Sequence, residues 1–254
     1  MNAPQAYADP SNVDPVNLLT RTLMSVTGIR RLVKPVGGRR RDRARLSVVR
    51  NEVTASAAPV LRVRRHRTII GVDMSEFGRK DEQVQNHVRT EMYAVLQQAF
   101  TSAEVGWPAP DWREDRGDGA LMIVSFDDAA LVVDPLVRYL YTLIRRHNKV
   151  SSHEARIVLR MAVHAGHVYR DSYGFSGQAI VDVYRMLDAP AFKSAVATHG
   201  AVLGLIVSPY IYNEVIQQEP GMTDPDSYQK VDVVNKETNT QAWLYLPGRA
   251  ELAA

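Results

Sequence analysis

The hydrophobic positions of this chain fall first into short apolar runs. Nearly continuous runs cover residues 68–72, 120–124 and 156–164. Runs of this length predict strands that are buried on both faces. Near the end of the chain, residues 230–236 and 241–246 form two further runs separated by polar residues, which predicts a hairpin.

Between these runs, apolar residues recur at three- and four-residue spacing. This spacing predicts one helix over residues 80–103 and a second that begins with Asp134 as its N-cap and Pro135 at its first position. The second helix ends in the basic residues 145–147, which suits the helix dipole. The resulting order βαββαβ predicts an α+β fold, a ferredoxin-like antiparallel sheet with helices on one face and further elements from residue 201 onward.

Two aspartates lie where predicted strands begin or end. Asp73 closes the first apolar run, and Asp118 occupies the turn Gly117-Asp118-Gly119 before the second run. Carboxylates in such positions can hold Mg²⁺ or Mn²⁺, because hard cations take oxygen ligands and keep positions for substrate oxygens. The alternative is structural: Asp118 as the acid of an Asp-Gly turn, and Asp73 as a strand-end cap.

A third segment, residues 174–187, places glycines before a helical pattern that contains Arg185. Together with the two aspartates, it resembles the class III nucleotidyl cyclase domain, the fold of adenylate and guanylate cyclases, over residues 68–247. In that family the first strand ends in Asp-Ile-x-Gly-Phe, and here Asp73 to Phe77 match this motif except for Glu76 in the glycine position. The 45 residues from Asp73 to Asp118 are also close to the family's spacing.

The resemblance implies a nucleotide cyclase that converts a nucleoside triphosphate to a 3′,5′-cyclic nucleotide and pyrophosphate for second-messenger signalling. It implies that Asp73 and Asp118 hold two Mg²⁺ or Mn²⁺ ions, and that Phe77 and Gly177 belong to the nucleotide site. It also implies a head-to-tail homodimer, in which Arg185 from one subunit faces the metal aspartates of the other. Arginine suits a transferring phosphate because its planar fork donates two hydrogen bonds to phosphate oxygens.

The helix departs from the family at one position. Where the family has an asparagine that positions the ribose, four residues before the arginine, this chain has Val181. Two interpretations of the neighbouring Asp182 stay open: it takes over the polar role, or it pairs with Arg185 along the helix. The second function class is therefore a catalytically degenerate homologue that acts as a dimeric nucleotide-binding or scaffold module.

The family's base-reading positions correspond to Glu114 and Gly174. A carboxylate favours a base with N–H donors, but Gly174 has no side chain, so guanine, adenine, uracil and cytosine all stay open. Glu114 could equally be a solvated charge. Lys236, in the predicted hairpin, resembles the family's triphosphate-binding lysine, and the alternative is an ordinary turn lysine.

Charge divides the chain in two. Residues 1–67 contain 14 Lys and Arg against 4 acids, whereas residues 68–254 contain 17 against 24. This predicts a basic N-terminal extension, residues 1–67, ahead of the cyclase domain at 68–254. An amphipathic stripe and arginine clusters in residues 15–67 favour an anionic membrane surface or a protein partner, or docking on the chain's own domain. Nucleic acid is less favoured because residues 8–67 lack Phe, Trp and Tyr for stacking on bases.

The remaining composition restricts the chemistry. The absence of cysteine excludes disulfides and thiol nucleophiles and fits a cytoplasmic protein, peripheral to a membrane if the extension binds one. No apolar run is long enough to cross a bilayer.

Overall fold

The computed structural model describes residues 64–235 and 238–248, and its centre is one mixed β-sheet. Within these residues the sheet has eight strands: β1 Arg65–Met74, β2 Arg113–Asp115, β3 Gly119–Ser125, β4 Leu159–Asp171, β5 Gly174–Ser176, β6 Leu203–Val207, β7 Gln229–Asn235 and β8 Thr238–Tyr245. They pair in the order β2-β3-β1-β4-β6-β8-β7, and β5 pairs with the end of β4. All neighbours are antiparallel except β4 and β6, so the sheet is not antiparallel throughout.

In the part of the chain that the structure describes, six α-helices accompany the sheet: α1 Glu82–Ser102, α2 Ala129–Leu131, α3 Val137–Val150, α4 Gln178–Leu187, α5 Pro190–Thr198 and α6 Pro209–Glu214. Short 3₁₀ turns occur at Phe77–Arg79, Pro110–Trp112, Phe126–Asp128, Ile216–Gln218 and Pro225–Ser227, and a π-helical turn at Val132–Leu136. No helix among the described residues is both long and apolar enough to cross a membrane.

The helices cover both faces of the sheet, rather than the single face predicted. On one face α1 and α3 bury residues such as Phe100 and Leu140, and on the other α4 and α5 bury Val183 and Phe192. Each large side chain of this kind contributes roughly 1.5–3 kcal/mol when it is buried. The difference arises because α4 carries its own apolar stripe and needs a sheet face to cover it.

Helix α4 packs against the sheet at two glycines. A Cβ added to Gly71 on β1 would lie 2.6 Å from Val183 Cγ1, and one added to Gly166 on β4 would lie 2.6 Å from the Cβ of Ala179. Both glycines therefore make room for the helix backbone to approach. The helix that carries Arg185 is fixed against the two central strands.

The predicted first helix, the strands around the Asp118 turn and the C-terminal hairpin are confirmed by α1, β2 with β3, and β7 with β8. The helix predicted to start at Asp134 corresponds to α3, whose α-helical part begins at Val137 after the π-helical turn. Asp134 has the extended backbone of an N-cap residue, with φ −151° and ψ 122°. Its buried carboxylate accepts hydrogen bonds from the Arg138 side chain at 2.8 and 2.9 Å and from the Met222 amide at 2.7 Å. A buried carboxylate needs such donors, and here they tie the start of α3 to a distant loop.

Candidate functional site

The sheet brings Asp73 and Asp118 together. Strands β1 and β3 pair so that Asp73 lies opposite Gly119, the residue after Asp118. The Met74 amide also donates to the Asp118 carbonyl at 2.9 Å. The Asp73 side chain is 19% exposed, and Asp118 is exposed at the turn. Two acids 45 residues apart in sequence thus become neighbours at one end of the sheet.

Gly119 makes this approach possible. A Cβ at this position would lie 2.0 Å from the Val72 carbonyl oxygen and 2.9 Å from the Cα of Asp73. These are backbone atoms of the neighbouring strand, so they cannot move aside as a side-chain tip would. The glycine after Asp118 therefore fixes the distance between the two strands.

Asp73 is engaged by an arginine that sequence reasoning missed. Arg160 on β4 is the register partner of Asp73, and its Nε and Nη2 donate to Asp73 Oδ1 and Oδ2 at 2.8 and 3.0 Å. In the sequence, Arg160 is marked only as a single arginine inside an otherwise apolar strand. It can be recognised as the partner of Asp73 only once β4 is known to pair with β1.

The electrostatic environment of Asp73 reflects opposing contributions. Burial raises the pKa of the Asp73 carboxyl above its usual range, and the charge of Asp118 acts in the same direction. The hydrogen bonds and charge of Arg160 act against this rise. A positive charge beside Asp73 therefore favours its ionised form.

The donor set fits a divalent cation that shares its ligands with a substrate. Among the described residues, no group of three or more His, Cys, Asp or Glu side chains could hold a metal. Asp73 and Asp118 supply hard oxygen donors on adjacent strands, and Mg²⁺ is commonly bound by one or two carboxylates plus substrate phosphates. Asp73 and Asp118 are therefore the residues that would hold the cation.

In the loop after Asp73, Glu76 has a backbone conformation that is typical of glycine. Glu76 adopts φ 59° and ψ 18°, the left-handed conformation that glycine accepts at least cost. Its carboxylate accepts a hydrogen bond from Arg79 at 2.6 Å, and both side chains are exposed. Phe77 follows, half-buried against the core. Glu76 therefore holds a backbone conformation that a glycine would adopt with less strain.

The outer face of α4 carries Val181 and Arg185. The side chains on the inner face, including Val183 and Leu187, are buried against the sheet, whereas Val181 is 40% exposed and Arg185 is partly exposed. Spacing of four residues places Val181 and Arg185 on one face. Asp182 accepts a hydrogen bond from Gln178 Nε2 at 2.9 Å, one turn earlier on the helix.

Helix α4 starts at a position that requires glycine. Gly177 has φ 143°, and a Cβ there would lie 2.8 Å from the His167 carbonyl oxygen on β4. The predicted glycine of the nucleotide site therefore lies against β4, at the N-terminal end of the helix that carries Arg185.

The two positions that the sequence predicts to read the base, Glu114 and Gly174, lie next to each other. A Cβ on Gly174 would lie 2.7 Å from Glu114 Oε1, and the same oxygen accepts the Phe175 amide at 3.1 Å. Glu114 Oε2 accepts Arg116 Nη2 at 2.6 Å. Gly174 thus leaves room for the Glu114 carboxylate beside strand β5.

Arg116 also connects this pair to α4. Its guanidinium carbon lies 5.1 Å from the ring centroid of Tyr184, the residue before Arg185. A groove of about 520 Å³ lies beside these residues, between β2 and the β4–β5 hairpin. Neither Arg116 nor Tyr184 stands out in the sequence, because each lies in a segment with an ordinary structural explanation. Lys236 lies outside the described residues.

Comparison with known proteins supports the fold. No protein-family model matches the chain, and no curated protein matches it in sequence. The structure is similar to that of the guanylyl cyclase Cya2, with 17% identity, a TM-score of 0.51 and coverage of 76% of this chain and 99% of that one. It is also similar to an adenylate/guanylate cyclase/hydrolase from Silicibacter pomeroyi, with 18% identity, a TM-score of 0.53 and coverage of 73% and 99%. The described domain has the fold of the class III adenylate and guanylate cyclase domains.

Proposed function

We propose that the protein is a nucleotide cyclase, which converts a nucleoside triphosphate to a 3′,5′-cyclic nucleotide and pyrophosphate in a homodimer. The observation that carries the proposal is the meeting of Asp73 and Asp118 on adjacent strands. Helix α4 is packed on the same central strand and carries Arg185 on its outer face, where a second copy can reach it. The two half-sets of a shared site are thus both present in one chain.

In the reaction, the ribose 3′-oxygen releases its proton to solvent and forms a bond to the α-phosphorus, while the bond from that phosphorus to the pyrophosphate oxygen breaks and pyrophosphate leaves. Asp73 and Asp118 are the residues that would hold the divalent cation beside the triphosphate. That cation would neutralise charge and lower the pKa of the attacking hydroxyl. Arg185 from the second copy donates to the α-phosphate oxygens, where negative charge develops. Glu114 accepts N–H donors of the base at the edge of the groove.

The direct test is to incubate the purified protein with ATP, GTP, UTP or CTP in Mn²⁺ and then in Mg²⁺, and to identify products by mass spectrometry. We expect a cyclic nucleotide and one equivalent of pyrophosphate. Asp73→Ala and Arg185→Ala should each lower the rate by about a hundredfold or more, as loss of a charge-stabilising group does. A rate that is unchanged in either variant would contradict the assigned role of that residue.

Val181 supports a test of the alternative, a degenerate homologue that binds nucleotide without turnover. The side chain is 40% exposed, so Val181→Asn places an amide on the outer face of α4 without opening a cavity. An increase in cyclase rate would show that the ribose contact is the missing part. Tight triphosphate binding with no product, in both the parent and Val181→Asn, would establish the non-catalytic alternative. Asp118→Ala should remove metal-dependent triphosphate binding in either case.

A further inference from the structure

Arg160 is placed where it can regulate access to Asp73. On β1 its register partner is Asp73, and on β6 its register partner is Gly204, which offers no side chain. The Arg160 side chain is 13% exposed and that of Asp73 is 19% exposed. The pair is therefore largely shielded from water and only weakly screened by salt.

We propose that Arg160 is a positioning residue that competes with the divalent cation for Asp73 and keeps the metal site closed to a free cation. The inference rests on the proposed function for the identity of that cation. Its consequence is that the cation and the substrate bind to the site together.

The geometry of the hydrogen bonds supports competition. The guanidinium fork uses both carboxylate oxygens of Asp73 at once, at 2.8 and 3.0 Å. A cation bound to Asp73 must either share an oxygen with this fork or displace it. Both routes weaken the Arg160 hydrogen bonds, so the binding free energy of the free cation is reduced by the part of that interaction that is lost.

The local charges point the same way. Asp73, Asp118 and Arg160 carry a net charge of −1 when all are ionised, whereas the two aspartates alone carry −2. The charge of Lys193, which pairs with Asp188 at 2.8 Å, also lowers the pKa of Asp73. A free divalent cation thus meets a weakly negative site, and the anionic triphosphate supplies the missing charge when the two bind together.

The test measures Mn²⁺ binding to the protein without nucleotide, from the electron paramagnetic resonance signal of the free ion. Arg160→Gln should bind Mn²⁺ at least about tenfold more tightly than the parent, equivalent to about 1.4 kcal/mol. The matched control is Arg156→Gln, which removes the same charge from an exposed position four residues earlier. Its affinity should stay within about twofold of the parent.

Two further variants keep the test decisive. The double variant Asp73→Asn with Arg160→Gln should not show the increase in Mn²⁺ affinity, because that increase depends on a free Asp73 carboxylate. Arg160→Lys keeps the positive charge but lacks the planar guanidinium fork, so its Mn²⁺ affinity should be at least about threefold higher than that of the parent. This variant replaces Arg160→Gln if Arg160→Gln does not fold. Parent-like Mn²⁺ affinity in Arg160→Gln, or in Arg160→Lys as its replacement, would overturn the inference, as would a gain that survives loss of the Asp73 carboxylate.

The outcome is separable from that of the proposed function. If no nucleotide is cyclised but Arg160→Gln gains Mn²⁺ affinity, the competition stands and the cyclase proposal fails. If a nucleotide is cyclised but the affinity is unchanged, the cyclase proposal stands and the competition fails.

Discussion

Two regions of the domain hold a carboxylate that the cyclase resemblance assigns to a ligand, and in each an arginine already binds it. At the metal end, defined by Asp73, Asp118 and Arg160, the arginine lies on a central strand. At the base-reading end, defined by Glu114, Gly174 and Arg116, the carboxylate lies on β2 at the sheet edge and the arginine follows that strand. The two pairs are chemically alike and differ in where the sheet places them.

The two carboxylate–arginine pairs differ in their exposure to solvent. The side chains of Asp73 and Arg160 are 19% and 13% exposed, whereas those of Glu114 and Arg116 are 27% and 47% exposed. A shielded pair is costly to open, because either partner alone becomes a poorly solvated charge. A pair at the edge can rearrange with little loss. We therefore expect the metal end to be held rigidly by the fold and the base-reading end to be able to rearrange.

The largest effect is expected from Gly119→Ala at the metal end. The new Cβ would lie 2.0 Å from a backbone oxygen of β1, so the two strands must separate. We expect a loss of about 3 kcal/mol in the free energy of unfolding, measured by urea denaturation. Gly106→Ala is the control, since a Cβ there has no neighbour within 4 Å. Equal stability of the two variants would show that the strands at the metal end are not held as closely as described.

The second prediction compares the two arginines directly. Arg160→Gln leaves Asp73 as a shielded charge without its cationic partner and should cost about 2 kcal/mol, below the usual range for fully buried pairs. Arg116→Gln should cost less than about 1 kcal/mol because solvent screens that pair. The measurement is urea denaturation at low and high salt. The cost of Arg116→Gln should shrink with salt and that of Arg160→Gln should not. Equal costs with equal salt dependence would remove the distinction between the two ends.

Gly174→Ala tests the base-reading end alone. Gly174 has φ 117°, a conformation that L-residues rarely adopt, and the added Cβ would lie 2.7 Å from Glu114 Oε1. Because that oxygen ends a flexible side chain, it can move aside, and we expect a loss of about 1 kcal/mol, smaller than that of Gly119→Ala. Thermal unfolding measures the difference. A loss as large as that of Gly119→Ala would mean that the base-reading end is as rigid as the metal end.

The sequence predicted the parts of the site that depend on local pattern. Asp73 and Asp118 each lie next to an apolar run in the sequence, so a strand, a turn and two nearby acids could be predicted from spacing. The order of the first elements followed from alternation of strand and helix patterns. The outward position of Arg185 follows in the same way from the apolar stripe of α4.

The rest depended on pairings between distant segments. Arg160 meets Asp73 only because β4 lies beside β1 with one particular register, and a shift by one residue would have placed it on the other face. Gly71 and Gly166 read as weak points in strands, whereas they admit α4 to the sheet. Asp134 has the sequence signature and the extended backbone of an N-cap residue, but the hydrogen bond that its carboxylate accepts from the distant Met222 amide could not be predicted from a local pattern.

The smallest predicted effect concerns β4, the strand that joins the two ends. Between Arg160 at one end and the β5 pairing at the other lies His164, whose Nδ1 is 2.7 Å from the Ser208 hydroxyl oxygen. Burial lowers the pKa of the His164 imidazole, the charge of His66 lowers it further, and Asp182 acts in the opposite direction. At pH values below the ordinary histidine pKa of 6.5, His164 therefore binds a proton more readily in the unfolded chain than in the folded chain.

Stability should consequently fall as the pH drops from 7 towards 5, and His164→Gln should reduce that slope by an amount below about 1 kcal/mol over the interval. The measurement is the free energy of unfolding at several pH values, with His199→Gln as the control because that side chain is exposed on the surface. His66 keeps its own lowered pKa in the variant, so part of the slope should remain. If the slope were unchanged in His164→Gln, or reduced equally by His199→Gln, the acid sensitivity would not lie in the strand that the metal end and the base-reading end share.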